Sequence, residues 1–162
     1  MPQLSLHSPV GDLTVSAEAG AIVALDWGWG RDQTETPLLI EARRQLHAYF
    51  DTKQAGFDLP LAPAASRFQE RVRAALLAIP RGEMRTYGDM AQSLGSSPRA
   101  VGMGLARNPL PILVPCHRVV AASGRLGGYS GEGGADTKAQ LLAMEGAIEP
   151  GPPSLFPGPA TG

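Results

Sequence analysis

Cysteine is almost absent from this 162-residue chain: Cys116 is the only one. A sole thiol excludes an internal disulfide and a multi-cysteine zinc site. Long apolar runs are missing as well, and none approaches the roughly 20 residues of a membrane span. The opening Met1-Pro2-Gln3-Leu4-Ser5-Leu6-His7 has neither the basic nor the apolar region of a secretory signal. No internal repeat is visible. Charged residues make up 18% of the chain and the net charge is −1, which speaks weakly against a general nucleic-acid binder. These absences leave a globular protein with no membrane partner. It is expected in the cytoplasm, where a free thiol stays reduced.

A chain of this length builds one domain or two small ones sharing an interface. Its 43% hydrophobic share is that of a globular protein. The near-neutral total conceals an asymmetry. Residues 1–63 carry Arg31, Arg43, Arg44 and Lys53 against eight carboxylates, whereas residues 64–149 carry ten basic side chains against seven acidic ones. A basic half beside an acidic one fits a DNA-contacting domain on a non-binding support, and chance partition fits nearly as well.

The first half reads as a small sheet module. Leu4-Ser5-Leu6 and Leu13-Thr14-Val15 alternate apolar and polar across the turn residues Ser8 to Asp12, and Ala21–Trp27 gives a third strand closed by Gly28 and Gly30. Pro37 opens a helix with Leu38, Leu39, Ala42, Leu46, Tyr49 and Phe50 at helical spacing, and Gly56 and Pro60–Pro63 read as a linker. The second half reads as helical. Ser66 caps a helix with Phe68, Val72, Leu76 and Ile79 on one face, stopped by Pro80 and Gly82. Thr86-Tyr87-Gly88-Asp89 resembles a capping box, Gly95-Ser96 is a turn, and Ser97-Pro98 starts another helix running to Arg107. Two short helices about a glycine-containing turn predict a helix-turn-helix. The second of them contains Gly102 and Gly104, each costing about 1 kcal/mol relative to alanine. A smooth face of this kind suits close approach to a DNA groove or to a neighbouring helix. The expected fold is α/β (α+β): an N-terminal antiparallel-sheet module over 1–63, a mostly helical, winged-helix-like domain over 64–149, and a disordered Pro/Gly tail over 150–162.

Cys116 lies in Val114-Pro115-Cys116-His117-Arg118-Val119-Val120. It is either an inert small hydrophobe or a nucleophile. The adjacent imidazole and guanidinium, which lower a thiol pKa by favouring the thiolate, argue for the nucleophile.

The string Pro-Cys-His-Arg-Val resembles the active-site motif of the O6-alkylguanine-DNA alkyltransferases, and the similarity runs from Phe68 to Gly146. Phe68-Gln69 and Ile79-Pro80-Arg81-Gly82-Glu83 match the family's first helix and its exit. Tyr87 matches the tyrosine that helps swing the target nucleotide out of the stack. Arg99-Ala100-Val101-Gly102 matches the recognition helix, whose arginine fills the gap left by the flipped base, and Asn108-Pro109 matches the hinge asparagine. Gly128-Tyr129-Ser130 matches the loop over the alkylguanine pocket. Lys138, Leu141-Leu142 and Glu145-Gly146 match the closing helix, whose carboxylate orients the histidine. The resemblance implies single-turnover, irreversible transfer of an alkyl group from O6-alkylguanine in duplex DNA to Cys116, with O4-alkylthymine as a second candidate substrate.

The implied catalytic set is Cys116, His117, Glu145 and Asn108. DNA contacts fall to Tyr87, Arg99, Ala100, Gly102 and Arg107, and Gly104 also lies on the recognition helix. The substrate pocket falls to Tyr87, Leu105, Val119, Tyr129 and Ser130. The resemblance further implies lesion-bearing duplex DNA as the partner, a monomer, and no cofactor. Some members bind zinc in the N-terminal module. With only His7 and His47 there, no metal is expected. Taken singly, His117, Arg99, Tyr129 and Glu145 each also have a purely structural reading. The turn between Tyr87 and Arg99 is about two residues shorter than in many members, and the loop from Ser130 to Thr137, with Glu132 and Asp136, about two longer. Arg73 and Ala122 also depart from residues common in the family.

Overall fold

The computed structural model describes residues 1–52, 54, 56–122, 126 and 134–149. Three strands open the chain, β1 (Gln3–Leu6), β2 (Leu13–Glu18) and β3 (Ala21–Trp27), paired antiparallel in the order β1-β2-β3 with Leu4 opposite Val15 and Val15 opposite Leu25. This is the expected meander. Strand alternation puts Leu4, Leu6, Leu13 and Val15 into a core shared with α1 (Pro37–Phe50), which contributes Leu39, Ala42, Leu46 and Tyr49. Each such side chain contributes about 1.5–3 kcal/mol by leaving water. Thr36 caps α1 through its hydroxyl, and Pro37 sits at the first helical position.

The polar face of this sheet is covered too. Ser5 and Thr14 are buried and bonded to each other at 2.8 Å; the Ser5 hydroxyl also accepts from Gly30 N–H and the Gln33 side chain. The presumed linker is partly ordered as well. Ile22 N–H donates to the Pro60 carbonyl and Ala62 N–H to that of Ile22, forming a parallel bridge to Leu61. The chain divides into two compact units. The first comprises Met1–Pro63 together with Pro109–Leu113, a return that division by chain order alone does not anticipate. The return is hydrogen-bonded: Leu25 N–H donates to the Pro109 carbonyl at 3.0 Å.

The second unit holds the remainder. Ser66 caps α2 (Arg67–Leu77). The two-residue β4 (Arg85–Thr86) runs directly into α3 (Tyr87–Leu94), whose capping box is complete: Asp89 N–H donates to the Thr86 hydroxyl, and the Asp89 carboxylate accepts from Thr86 N–H. Gly95, at φ 62°, ends α3 in the left-handed conformation that glycine adopts without strain. After Ser96 and the cap Ser97 comes α4 (Pro98–Ala106), completing the helix-turn-helix. Both helices pack on α2, and Arg71 ties α2 to the Leu94 carbonyl at 2.8 Å.

Downstream, a 3₁₀ turn (Cys116–Arg118) leads into β5 (Val119–Val120), which pairs parallel with β4. This two-stranded ribbon joins the residue before Tyr87 to the segment after Cys116. α5 (Ala135–Met144) packs on the 3₁₀ turn. Among the described residues no helix is long and apolar enough to cross a membrane. The tail over 150–162 lies outside the described residues.

Candidate active site

Two tight turns present Cys116. Pro115, at φ −79° and ψ 65°, forms an inverse γ-turn in which Cys116 N–H donates to the Val114 carbonyl at 2.7 Å. The 3₁₀ turn follows, with Arg118 N–H on the Pro115 carbonyl and Val119 N–H on that of Cys116. In the first unit, Ile112 sits at φ 73° and Leu113 N–H donates to the Pro111 carbonyl. A β-branched residue there carries about 1–3 kcal/mol of strain, held in place because its side chain is buried.

Asn108 follows α4, its backbone N–H on the Leu105 carbonyl. Its side chain donates to the Val114 carbonyl at 3.1 Å and hydrogen-bonds the Cys116 sulfur. The thiol itself is buried, and burial pushes its pKa up. The Asn108 hydrogen bond and the positive charge of Lys138 pull the other way without prevailing. The expectation that His117 and Arg118 depress this pKa therefore fails, and the reason is geometric. Both side chains are spent on Glu145.

His117 is fully buried, with Nε2 2.8 Å from Glu145 Oε2. A carboxylate only accepts, so Nε2 carries the hydrogen and Nδ1 holds the lone pair. Arg118 donates to both Glu145 oxygens, Nε to Oε1 and Nη2 to Oε2 at 2.9 Å each, and Nη1 to the Ile79 carbonyl at 2.7 Å. This fork neutralises the carboxylate that would otherwise draw a proton onto the imidazole. Desolvation lowers the His117 pKa, and Arg118 and Lys138 reinforce that direction against the pull of Glu145. His117 is thus a neutral base, and its Nδ1 is buried with no hydrogen bond among the described residues.

The structure brings Asn108, Cys116, His117 and Glu145 into one connected set. The residues predicted to contact DNA, on α4 and at its C-cap, are not members of this hydrogen-bonded set. Arg99 and Arg107 are exposed, and Ala100 and Gly102 are half-buried. Gly102 faces open space. Gly104 instead faces α2, where an added Cβ would lie 3.0 Å from Gln69 Oε1 and 3.3 Å from Val72, so only Gly102 belongs to the smooth outer face. Leu105 and Val119 are buried, and half-buried Tyr87 opens α3. Tyr129 and Ser130 lie outside the described residues, as does Glu132.

Sequence reasoning missed the double use of Arg118 and left Lys138 out of the site. Lys138 is 1% exposed and stands seven residues before Glu145 on the stripe that buries Leu141 and Leu142. That spacing, about two helical turns, was the available signal. Among the described residues no three of His, Cys, Asp and Glu converge as metal ligands.

Two family models match this chain: the ribonuclease-like domain of 6-O-methylguanine DNA methyltransferase over residues 4–63, and its DNA binding domain over 67–147. The methylated-DNA–protein-cysteine methyltransferase of Methanosarcina acetivorans is 40% identical over 151 residues, spanning 87% of this chain and 96% of that protein. The constitutive enzyme of Bacillus subtilis is 41% identical, over 86% and 92%. The crystal structure of Mycobacterium tuberculosis OGT in complex with DNA superposes with a TM-score of 0.79 at 38% identity, over 90% of this chain and 93% of that one. The chain belongs to the 6-O-methylguanine DNA methyltransferase family.

Proposed function

We propose that this protein repairs DNA by direct reversal, moving the alkyl group from O6-alkylguanine in a duplex to Cys116, once per molecule. The observation that carries this reading is the Glu145–His117 pair, with Nε2 bound at 2.8 Å and a lone pair left on buried Nδ1, beside a buried thiol held by Asn108. The thiol rests protonated. Its proton passes through a water to Nδ1 as the sulfur attacks the alkyl carbon in line. The S–C bond forms as the C–O6 bond breaks, the electron pair leaves on guanine, and guanine recovers a proton from His117. The product is a thioether and unmodified guanine. A thioether is not hydrolysed in water, which makes the transfer irreversible.

Cys116 is 4% exposed, so a base inside a duplex must be flipped out to reach it, at a cost of a few kcal/mol. Tyr87 and Arg99 serve that step. Ala100 and Gly102 allow close approach, and Arg107 adds a phosphate contact. The family resemblance assigns recognition of the flipped base to Tyr87, Leu105, Val119, Tyr129 and Ser130. Residues 64–149 act as the catalytic and DNA-binding part on a supporting N-terminal part. The protein works as a cytoplasmic monomer without a cofactor, and O4-alkylthymine is a second substrate to test. Acyl chemistry is disfavoured because the nucleophile's own N–H is committed to Val114 rather than open to an oxyanion.

The test is intact mass after incubation with a duplex carrying one O6-methylguanine. A gain of one methyl per molecule, absent from Cys116→Ala, is expected. An unchanged mass with lesion duplex still bound more tightly than plain duplex would overturn the transfer and leave a lesion-recognition protein.

A further inference from the structure

Helix α4 has a clear inner and outer face. Val101, Gly104 and Leu105 are its buried residues. Arg99, Gly102, Met103 and Ala106 fall within about 100° of one another around the helix axis. Arg99, Met103 and Ala106 are exposed, and Gly102 faces open space. Charge explains Arg99 on this face, and small size explains Gly102 and Ala106. Neither explains Met103, an unbranched apolar side chain that is 49% exposed.

An apolar residue exposed singly is ordinary on a protein surface. The position of Met103 is what sets it apart. Of the exposed large apolar side chains among the described residues, Met1, Trp29, Ile40 and Leu77 all lie outside α4. Met103 stands one helical turn from Arg99, about 6 Å along the axis. That distance is close to two base steps at about 3.4 Å each. Proteins that distort a duplex often insert apolar wedges, methionine among them, and partly unstack a base step. Methionine suits that place because its flexible thioether adapts to an irregular surface. The bare backbone at Gly102 lets the helix come close enough for its neighbour to reach the bases. Loosened stacking beside the lesion would lower the cost of extruding the target nucleotide.

We propose that Met103 is a further DNA-contacting residue of α4, an apolar wedge against the base steps near the lesion. It loosens their stacking while Arg99 fills the gap of the flipped base. A thioether carries no charge, so the contact adds affinity without adding salt dependence. The proposal rests on the alkyl-transfer reading, but the contact can be measured with transfer blocked.

Full-length Cys116→Ala protein, which cannot consume the lesion, would carry Met103→Ala, Met103→Gln or Met103→Leu. Each would be titrated by anisotropy, across a salt series, with an O6-methylguanine duplex. Duplexes with 2-aminopurine one to three steps to either side would report unstacking as a rise in fluorescence. Met103→Ala and Met103→Gln should bind about tenfold more weakly at every salt concentration and lose the fluorescence rise. Met103→Leu should keep both. The salt slope should stay that of the parent, whereas Arg107→Ala, which loses a phosphate contact, should lower it by about 0.9. Melting temperatures of the Met103 variants should not move, because the side chain is exposed. Binding by Met103→Ala equal to the parent's, or by Met103→Gln equal to that of Met103→Leu, would overturn the proposal. So would a loss of binding that tracks a fall in melting temperature. A wild-type protein that takes up no methyl, while the Met103 series behaves as expected, would sink the alkyl-transfer reading and leave the wedge standing.

Discussion

His117 shows how burial makes a base. A histidine beside a lone carboxylate tends to hold a proton; here Arg118 cancels that carboxylate, and the ring stays neutral with its lone pair free. Glu145→Gln keeps an acceptor for Nε2–H but strands the arginine charge. Methyl transfer should slow by about 10²-fold or more, timed by intact mass. Arg118→Met leaves Glu145 buried beside a neutral ring and should cost about 3–5 kcal/mol in urea unfolding, as breaking a buried ion pair does. Cys116, His117, Glu145 and Asn108 could be named from motif order and spacing; the part of Arg118 and the sign of the thiol's pKa shift could not. Adjacency in Cys-His-Arg says nothing about where side chains go once a 3₁₀ turn sends two of them to Glu145, 27 and 28 residues downstream.

Caps and glycines carry the argument at the level of elements. Thr86 and Asp89 close α3 just where Tyr87 begins it, so Thr86→Ala should cost about 0.5–2 kcal/mol in chemical denaturation. The two glycines of α4 should behave in opposite ways. Gly102 faces open space, so Gly102→Ala should stabilise the fold by about 1 kcal/mol, the helix-propensity difference. Gly104→Leu would drive a side chain into Gln69, Val72 and Phe68 and should cost about 1–3 kcal/mol. Both are read from the same denaturation series. Local chemistry made the strands, caps and turns legible: Ser66, Thr86, Ser97 and Gly95 all stand where the sequence signals put them. The burial of Ser5 and Thr14 was not legible, because it depends on Gly30 and Gln33 folding back over the sheet.

The whole molecule should feel its buried imidazole as acid sensitivity. The His117 pKa is lowered in the folded state, so below about 6.5, the ordinary histidine value, the unfolded chain binds a proton that the folded chain refuses. Stability should be level above that pH on this account and fall as the pH drops through it. Thermal melts from pH 7.5 to 5 would show it, and His117→Gln should flatten the slope. The return of Pro109–Leu113 to the first unit has a consequence for anyone dividing the gene. A piece ending at Pro63 would lack the Pro109 carbonyl, leaving the Leu25 amide without its acceptor and the buried places of Leu110 and Ile112 empty. What looks in the sequence like two beads on a string is one strand of yarn passed twice through the first bead, and cutting at the visible knot would unravel it.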